Sequence, residues 1–174
     1  MYYKLLSALL SYPDEALVEA IPSLNEMLRS GLEASEAIVI GNFLRDLTSQ
    51  DLTDAQGRYV QTFDMTPEHA LHLTHHLFGD DKNRGPALID LSEHYRGYGL
   101  AIASNDGDPN ELPDHLPLML EFCAQLQEEE AIAFLSQWTK VLGQLASNLE
   151  ASNSTYAPLI RLIERRSRPL QAAA

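Results

Sequence analysis

The chain has 174 residues, with 25 acidic side chains against 12 lysines and arginines and a formal charge of −13. Nucleic acids and anionic membrane surfaces are bound largely through lysine and arginine, so this balance excludes both as principal partners. We expect a neutral or basic partner instead. Apolar residues make up 45% of the chain, which is enough to form one buried core.

Leucine and alanine far outnumber the β-branched aliphatic residues, at 48 against 12 valines and isoleucines. Unbranched side chains favour helices and branched ones favour strands, so the composition predicts an all-α protein. Apolar residues also recur every three or four positions, as in amphipathic helices. In chain order, these apolar stripes run through residues 17–28, 40–47, 88–102, 116–126, 135–149 and 156–163. We therefore expect a single-domain bundle of several helices.

Turn formers and helix caps separate the predicted helices. The predicted boundaries are Tyr12-Pro13-Asp14, Asp51 or Thr53 as a helix cap, Thr66-Pro67, and Gly79. Residues 105–110, NDGDPN, form the clearest loop and precede a C-terminal helical hairpin. Neither arm of that hairpin suffices to cover the apolar stripe of the other, so both parts of the chain are expected to share one core.

The sequence favours a cytoplasmic protein. Its uncharged apolar runs, such as residues 5–10, are far shorter than the roughly 20 residues that cross a bilayer. The N-terminus has only Lys4 as a basic residue and no small-residue cleavage site, which is not typical of a secretory signal. Cys123 is the only cysteine, so no internal disulfide is expected.

Charge is distributed unevenly along the chain. Residues 161–174 contain four arginines and one glutamate, a local charge of +3, which leaves −16 on residues 1–160. Cations in a last helical turn complement the helix dipole, and this is the simpler explanation. The alternative is that the basic tail occupies an acidic groove meant for a basic partner, in the same molecule or in a neighbour.

Four histidines lie within eight residues, in the segment HALHLTHH from His69 to His76. On a helix, His72 and His76 would share a face at the spacing that metal sites use. However, Leu73 follows His72 where a zinc protease needs glutamate, and no histidine precedes an aspartate as in helical metal-dependent phosphohydrolases. We expect no metal ligand. The alternative is a helical metal-dependent hydrolase that uses His72, His76 and Asp80.

Other catalytic or cofactor sites are not indicated. Cys123 lies in the apolar stripe of residues 116–126, which favours a core position over a reactive thiolate. The sequence has no GxSxG, P-loop or GxGxxG motif, so nothing predicts a serine nucleophile or a nucleotide cradle. No catalytic residue and no cofactor are therefore predicted.

The segment ELPDHLPLMLEF, residues 111–122, combines carboxylates, an imidazole and leucines at the start of a predicted helix. Pro113 and Pro117 suit a helix opening, and Glu111 and Asp114 place negative charge beside its positive end. A cap needs only one of these residues. The combination is also typical of a ledge that binds a cationic, partly apolar peptide.

These residues resemble a known family. The strings YVQTFD (59–64), LHLTHHLFGDDKNRG (71–85), PALIDLSEHYRGYGL (86–100) and ELPDHLPLMLEF (111–122) are similar to those of NarJ-type nitrate reductase assembly chaperones. That group belongs to the TorD-like molybdoenzyme chaperones. The resemblance covers nearly the whole chain and assigns residues 1–168 to one NarJ/TorD-like helical domain. Residues 169–174 form a tail, whereas many family members continue there in a charged extension.

The resemblance implies a function without catalysis. Such chaperones are cytoplasmic and bind the N-terminal segment of the catalytic (alpha) subunit of nitrate reductase while the molybdenum cofactor is inserted. They are not part of the mature enzyme. Here the bound segment is expected to be a basic amphipathic helix. The alternatives are that the protein is a metal hydrolase or a permanent subunit of a complex. The chaperone itself is compatible with a monomer or with a dimer formed by swapping helices.

The resemblance implies a peptide-binding role for the matching stretch Glu111, Pro113, Asp114, His115 and Leu116, and it also matches Arg84-Gly85. Charge adds Glu121 to the peptide-binding candidates. Asp64 follows Tyr59 and Phe63 in a second family motif, in which core packing is the expected role of the two aromatic residues. If Asp114 and His115 contact the peptide, then Asp114→Asn with His115→Ala weakens peptide binding and changes thermal stability little.

Overall fold

The computed structural model describes residues 2–30, 32–102 and 111–168, apart from the side chains of residues 27, 29 and 30. The predicted loop 105–110 and the tail 169–174 lie outside these ranges. In the described ranges the α-helices are α1 (Tyr2–Leu10), α2 (Glu15–Ser30), α3 (Ala34–Thr48), α4 (Leu52–Tyr59), α5 (His75–Phe78), α6 (Arg84–Gly97), α7 (Leu116–Cys123), α8 (Glu128–Ser136), α9 (Thr139–Ala151) and α10 (Ala157–Arg166).

The all-α prediction is confirmed. Besides the ten helices, the described residues contain a π-helical turn (Val60–Asp64), a 3₁₀ turn (Pro67–His69) and a single isolated β-bridge. None of the helices in this part of the chain has the length and apolarity to cross a membrane.

Local chemistry explains several helix ends. Asp51 caps α4 by accepting a hydrogen bond from the Asp54 N–H at 2.8 Å. Pro117 lies in the first turn of α7, where a missing N–H costs little. Gly79 ends α5 with a φ of 54° and a ψ of −126°, a conformation that side chains bearing a Cβ rarely adopt. These predicted boundaries are therefore confirmed.

Three apolar stripes extend beyond single helices. The stripe of residues 135–149 crosses the boundary between α8 and α9. The stripes of residues 116–126 and 88–102 continue beyond the C-terminal ends of α7 and α6, respectively. Apolar periodicity reports which side chains are buried, and a stripe can continue through a tight turn if the turn residues also face the core. Trp138, between α8 and α9, is buried in this way.

The helices pack around one continuous core. Helix α1 lies against α7, α2 lies against α3, and α9 and α10 form a hairpin that contacts α3. An aromatic cluster fills the space between these elements. Tyr59 and Phe63 are both buried in it, with ring centroids 4.9 Å apart, and Phe63 lies 4.8 Å from Tyr156. Core packing of Tyr59 and Phe63 is thus confirmed.

The basic end of α10 is tied to the acidic body. Arg166 donates two hydrogen bonds to the Glu36 carboxylate, at 3.0 and 3.1 Å, and one to Glu128 at 3.3 Å. Its guanidinium carbon also lies 3.9 Å from the centroid of the Tyr2 ring. Arg166 therefore lies in an acidic groove between α3 and α8 of its own chain. It also lies in the last turn of α10, where a cation complements the helix dipole, so its position fits both interpretations of the basic tail.

Candidate functional site

The ELPDHLP segment is held by backbone pairing to a distant part of the chain. The Leu73 N–H donates to the Asp114 carbonyl at 3.0 Å, and the Leu116 N–H donates to the Leu71 carbonyl at 2.9 Å. This pairing forms the isolated antiparallel bridge. We call the paired segments, residues 71–74 and 111–116, the Asp114 junction.

The carboxylate of Asp114 lies entirely inside this junction, with an exposed fraction of 0%. Its Oδ2 accepts hydrogen bonds from the Thr74 N–H, at 3.0 Å, and from the Thr74 hydroxyl, and it lies 3.6 Å from the Arg84 guanidinium. Arg84 in turn donates to the Thr74 hydroxyl at 3.0 Å. Asp114 is therefore a buried carboxylate whose Oδ2 is hydrogen-bonded within the protein, whereas its Oδ1 has no hydrogen-bond partner among the described residues.

These contacts keep Asp114 ionised. Burial by itself would raise the pKa of Asp114, but His72 and the two Thr74 donors outweigh it and hold this pKa below its ordinary value. The closest His72 contact is from Nδ1 to Asp114 Oδ1, at 3.4 Å. Asp114 thus carries a negative charge in the interior of the junction at neutral pH.

The exposed carboxylate of Glu111 lies near two imidazole rings, those of His72 and His115. The two carboxylate oxygens of Glu111 lie 3.7 Å from His72 Nε2 and 3.5 Å from His115 Nδ1, and the two rings are 5.1 Å apart. About half of the Glu111 side chain is exposed. Burial lowers the pKa of His115 to about 4, against the opposing effect of Glu111. Glu111 is therefore an exposed acidic group at the surface of the Asp114 junction.

The lowered pKa of His115 predicts that acid destabilises the fold. The native protein keeps His115 neutral down to about pH 4, whereas the unfolded chain protonates it near its ordinary value of 6.5. Between these values the unfolded state binds the extra proton, so the free energy of unfolding decreases as the pH falls. We expect Tm to fall between pH 7 and pH 4.5, and to fall less in His115→Gln. Equal losses in the two proteins would contradict this assignment.

The predicted peptide-binding residues divide into two groups. Glu111, Glu121 and Asp64 are exposed, whereas Asp114 and Leu116 are fully buried. His115 lies between these extremes. In this structure the protein covers the side chains of both Asp114 and Leu116, which lie in the segment that carries Glu111. Their contact with a peptide stays a prediction.

Asp64 lies at the end of the π-helical turn, apart in sequence from the other acidic candidates. Burial, followed by the charges of Asp64, Tyr156 and Glu111, raises the pKa of Tyr59. The negative charges of Asp64 and Glu111 thus both favour the neutral form of the Tyr59 phenol. An exposed aromatic residue, Tyr12, packs edge-on against Tyr59 at 5.5 Å.

Glu121 lies on α7 at the edge of a hollow between α6 and α7. The hollow has a volume of about 170 Å³. Its walls are mainly apolar, with Glu121 and Gln125 as the polar members, and the others are Tyr95, Leu100, Ala101, Ile102, Leu118 and Phe122. We call it the α6–α7 hollow. Tyr95 also connects it to the Asp114 junction, because its hydroxyl donates to the Pro113 carbonyl at 2.6 Å.

Thr74 and Tyr95 have structural roles at the site that the sequence did not indicate. Thr74 lies in a histidine-rich segment without any motif, and its role depends on Asp114, which is 40 residues away. Tyr95 belongs to an apolar stripe, so its buried hydroxyl gave no signal of a polar partner. Arg84 was matched to the family without a role, and the structure places it against Thr74 and Asp114.

The histidine cluster does not form a metal site. Segment 69–76 is divided between a 3₁₀ turn, the β-bridge and the start of α5, so its histidines do not share one helical face. His69 Nδ1 lies 3.1 Å from the Thr62 carbonyl, and His76 Nε2 lies 2.7 Å from the Ala70 carbonyl. Within the described ranges, no three histidine, cysteine or acidic side chains are grouped to hold a metal. The alternative of a hydrolase using His72, His76 and Asp80 is not supported.

Comparison with known proteins identifies the family. The model of the family described as "Nitrate reductase delta subunit" matches residues 12–161, which is most of the chain. The chain belongs to the nitrate reductase delta subunit family. This membership confirms the resemblance seen in its sequence motifs.

Relatives within the nitrate reductase delta subunit family include named chaperones. The chain is 38% identical to the nitrate reductase molybdenum cofactor assembly chaperone NarJ of Escherichia coli K12, over 91% of this chain and 66% of that protein. It is 30% identical to the probable NarJ chaperone of Bacillus subtilis, over 92% of this chain and 85% of that protein. The chain thus spans slightly less than two thirds of the length of the E. coli relative.

A solved structure supports the fold of this family member. A protein of Archaeoglobus fulgidus, described as a candidate redox enzyme maturation protein, superposes with a TM-score of 0.64 at 23% identity. The match covers 94% of this chain and 90% of the other. At this identity the likeness establishes the shared all-α architecture.

Proposed function

We propose that this protein is an assembly chaperone for respiratory nitrate reductase, which binds the basic N-terminal segment of the catalytic subunit while the molybdenum cofactor is inserted. The observation that carries the chaperone role is its similarity to NarJ over 91% of the chain. The protein is not itself an enzyme in this proposal, and it requires neither a metal nor a cofactor.

The α6–α7 hollow supports an apolar contact with the segment. Its volume of about 170 Å³ is close to that of a cavity of roughly 150 Å³ that holds one benzene ring. The hollow therefore accommodates one aliphatic or aromatic side chain. An amphipathic helix binds by placing such side chains, spaced three or four residues apart, into apolar hollows of its partner.

Exposed carboxylates supply the complementary charge. Glu121 borders the hollow, and Glu111 and Asp64 are also exposed. Lysines and arginines of the segment pair with these groups, which speeds the encounter and fixes the orientation of the bound helix. In this proposal the segment that carries Glu111 is positioned by three of its own residues, Asp114, His115 and Leu116. Apolar burial then slows dissociation of the complex.

The first test is calorimetric titration with a synthetic peptide of the catalytic subunit's N-terminal segment. We expect a Kd on the order of micromolar or somewhat tighter, about −8 to −10 kcal/mol, because a chaperone must release its client. Raising the salt concentration from about 50 to 300 mM weakens binding, since screening acts on exposed charges. Undetectable binding, or binding that strengthens with salt, contradicts the proposal.

A matched pair of variants locates the charge contact. Glu121→Gln is expected to weaken peptide binding about 3- to 10-fold, as befits a rim charge. Glu129→Gln removes the same charge from an exposed position on α8, where it borders the groove of Arg166, and is expected to leave the Kd unchanged. Equal weakening by the two variants shows that only the net charge matters and places the peptide elsewhere.

A further inference from the structure

A second hollow lies on helix α6, beside the one that contains Tyr95. It has a volume of about 410 Å³ and is bounded by α5, α6 and the junction of α8 with α9. Leu77, Leu91, Phe134 and Trp138 supply most of its apolar wall, and Asp90 is its charged member. We call it the Trp138 hollow.

A row of aromatic rings separates the two hollows. Phe122 lines the α6–α7 hollow and Phe134 lines the Trp138 hollow, and their ring centroids are 5.0 Å apart. Helix α6 rests on this row, with Tyr95 against Phe122 at 4.6 Å and His94 stacked on Phe134 at 5.4 Å. The aromatic row and helix α6 therefore lie between the two hollows.

The Trp138 hollow exposes groups that a folded protein normally covers. Leu77, on its rim, has an exposed fraction of 56%, and Ile89 on the adjoining helix α6 has 60%. Trp138 is 8% exposed, but none of the described residues offers an acceptor to its indole N–H. Because the indole nitrogen is itself buried, the hollow offers an occupant mainly apolar surface.

The charge of the hollow indicates the sign of its occupant. Among the described residues that line it, Asp90 is the single acidic one and there is no lysine or arginine. Asp90 is itself exposed. An apolar wall beside an unopposed carboxylate fits a peptide in which a large apolar side chain is followed or preceded by lysine or arginine.

We propose that the Trp138 hollow is a second anchor site for the basic amphipathic segment, in which a large apolar side chain packs against Trp138 and a neighbouring cation pairs with Asp90. This inference rests on the proposed function, because it assigns a second contact to the same partner. In this proposal the segment uses the Trp138 hollow in addition to the α6–α7 hollow.

Trp138 reports on this site directly, because it is the only tryptophan in the chain. The full-length protein is titrated with a tryptophan-free peptide of the catalytic subunit's N-terminal segment, and intrinsic emission and calorimetric heat are followed in parallel. We expect an emission change that saturates with the calorimetric Kd, and reduced acrylamide quenching of Trp138. Calorimetric binding without any change at Trp138 overturns this inference and leaves the proposed function standing. Absence of calorimetric binding overturns both.

Variants separate occupation of the hollow from a distant effect on its fluorescence. Ala87→Phe fills the hollow from α6 and is expected to weaken binding at least 10-fold, with the helical circular dichroism signal retained. Asp90→Asn is expected to weaken binding about 3- to 5-fold, whereas Glu93→Gln, an exposed carboxylate on the same helix, leaves it unchanged. An unchanged Kd in both Ala87→Phe and Asp90→Asn overturns the inference.

Discussion

Asp114→Asn is expected to lower the free energy of unfolding by about 2–4 kcal/mol, because it removes a buried charge whose partners remain in place. The side chain is fully buried, and the amide retains only some of its contacts with Thr74. Arg84 then lies beside a neutral group instead of the carboxylate from which it is now 3.6 Å away. The substitution therefore disrupts the pairing of both segments in the Asp114 junction.

Urea unfolding at pH 7 measures this effect, and Asp64→Asn is the matched control. Asp64 is exposed, so its neutralisation is expected to change the free energy of unfolding by no more than about 0.5 kcal/mol. Asp114→Asn should also lower Tm by at least about 4 °C in a chain of this length. Two variants with indistinguishable midpoints would show that the Asp114 charge is not required for stability. This expectation replaces the sequence-based one, in which Asp114 contributed little to stability.

Helical periodicity predicted most of the architecture, because burial of one helix face is encoded locally. The stripes of residues 17–28 and 40–47 lie within α2 and α3, and the stripe of residues 156–163 begins at the N-cap of α10 and continues in that helix. The pattern was less informative at residues 135–149, where buried Trp138 maintains the stripe through a break between two helices. A helix end that remains in the core has no polar signal in its sequence.

The histidine-rich segment shows why local patterns misplace a site. The spacing of His69, His72 and His76 is compatible with a helix, but the Leu73 N–H pairs with the Asp114 carbonyl, 41 residues along the chain. A long-range pairing of this kind competes with the local helix and cannot be read from nearby residues. The same pairing buries Asp114, which the sequence placed on the surface because carboxylates are rarely buried.

The acidic candidates were predictable to different extents. Glu111 and Glu121 are exposed, as a peptide-binding role requires, and their positions follow from the helix start at Leu116. The sequence did not show that Glu121 borders an apolar hollow, since the facing residues Tyr95 and Ile102 come from another helix and the segment after it. Surface charge is thus visible in the sequence, whereas the apolar surface beside it depends on tertiary packing.

Arg166→Met is expected to lower the free energy of unfolding by about 2–4 kcal/mol, because it leaves Glu36 without its cation. Glu36 is a buried carboxylate, and both Nε and one terminal nitrogen of Arg166 donate to it. Methionine retains much of the apolar stem but loses the hydrogen bonds and the contact with the Tyr2 ring. The end of α10 then loses its tie to α1 and α3.

A double-mutant cycle isolates the ion pair from the packing. Arg166→Met, Glu36→Gln and the double variant are compared by urea unfolding, with Arg165→Met as a control at an exposed position on the same helical turn. We expect the double variant to be more stable than Arg166→Met alone, since a buried glutamine carries no uncompensated charge. Arg165→Met should lie within about 0.5 kcal/mol of the parent. Additive losses in the cycle would mean that Arg166 stabilises α10 through its stem and the Tyr2 ring, and that the pairing with Glu36 contributes nothing.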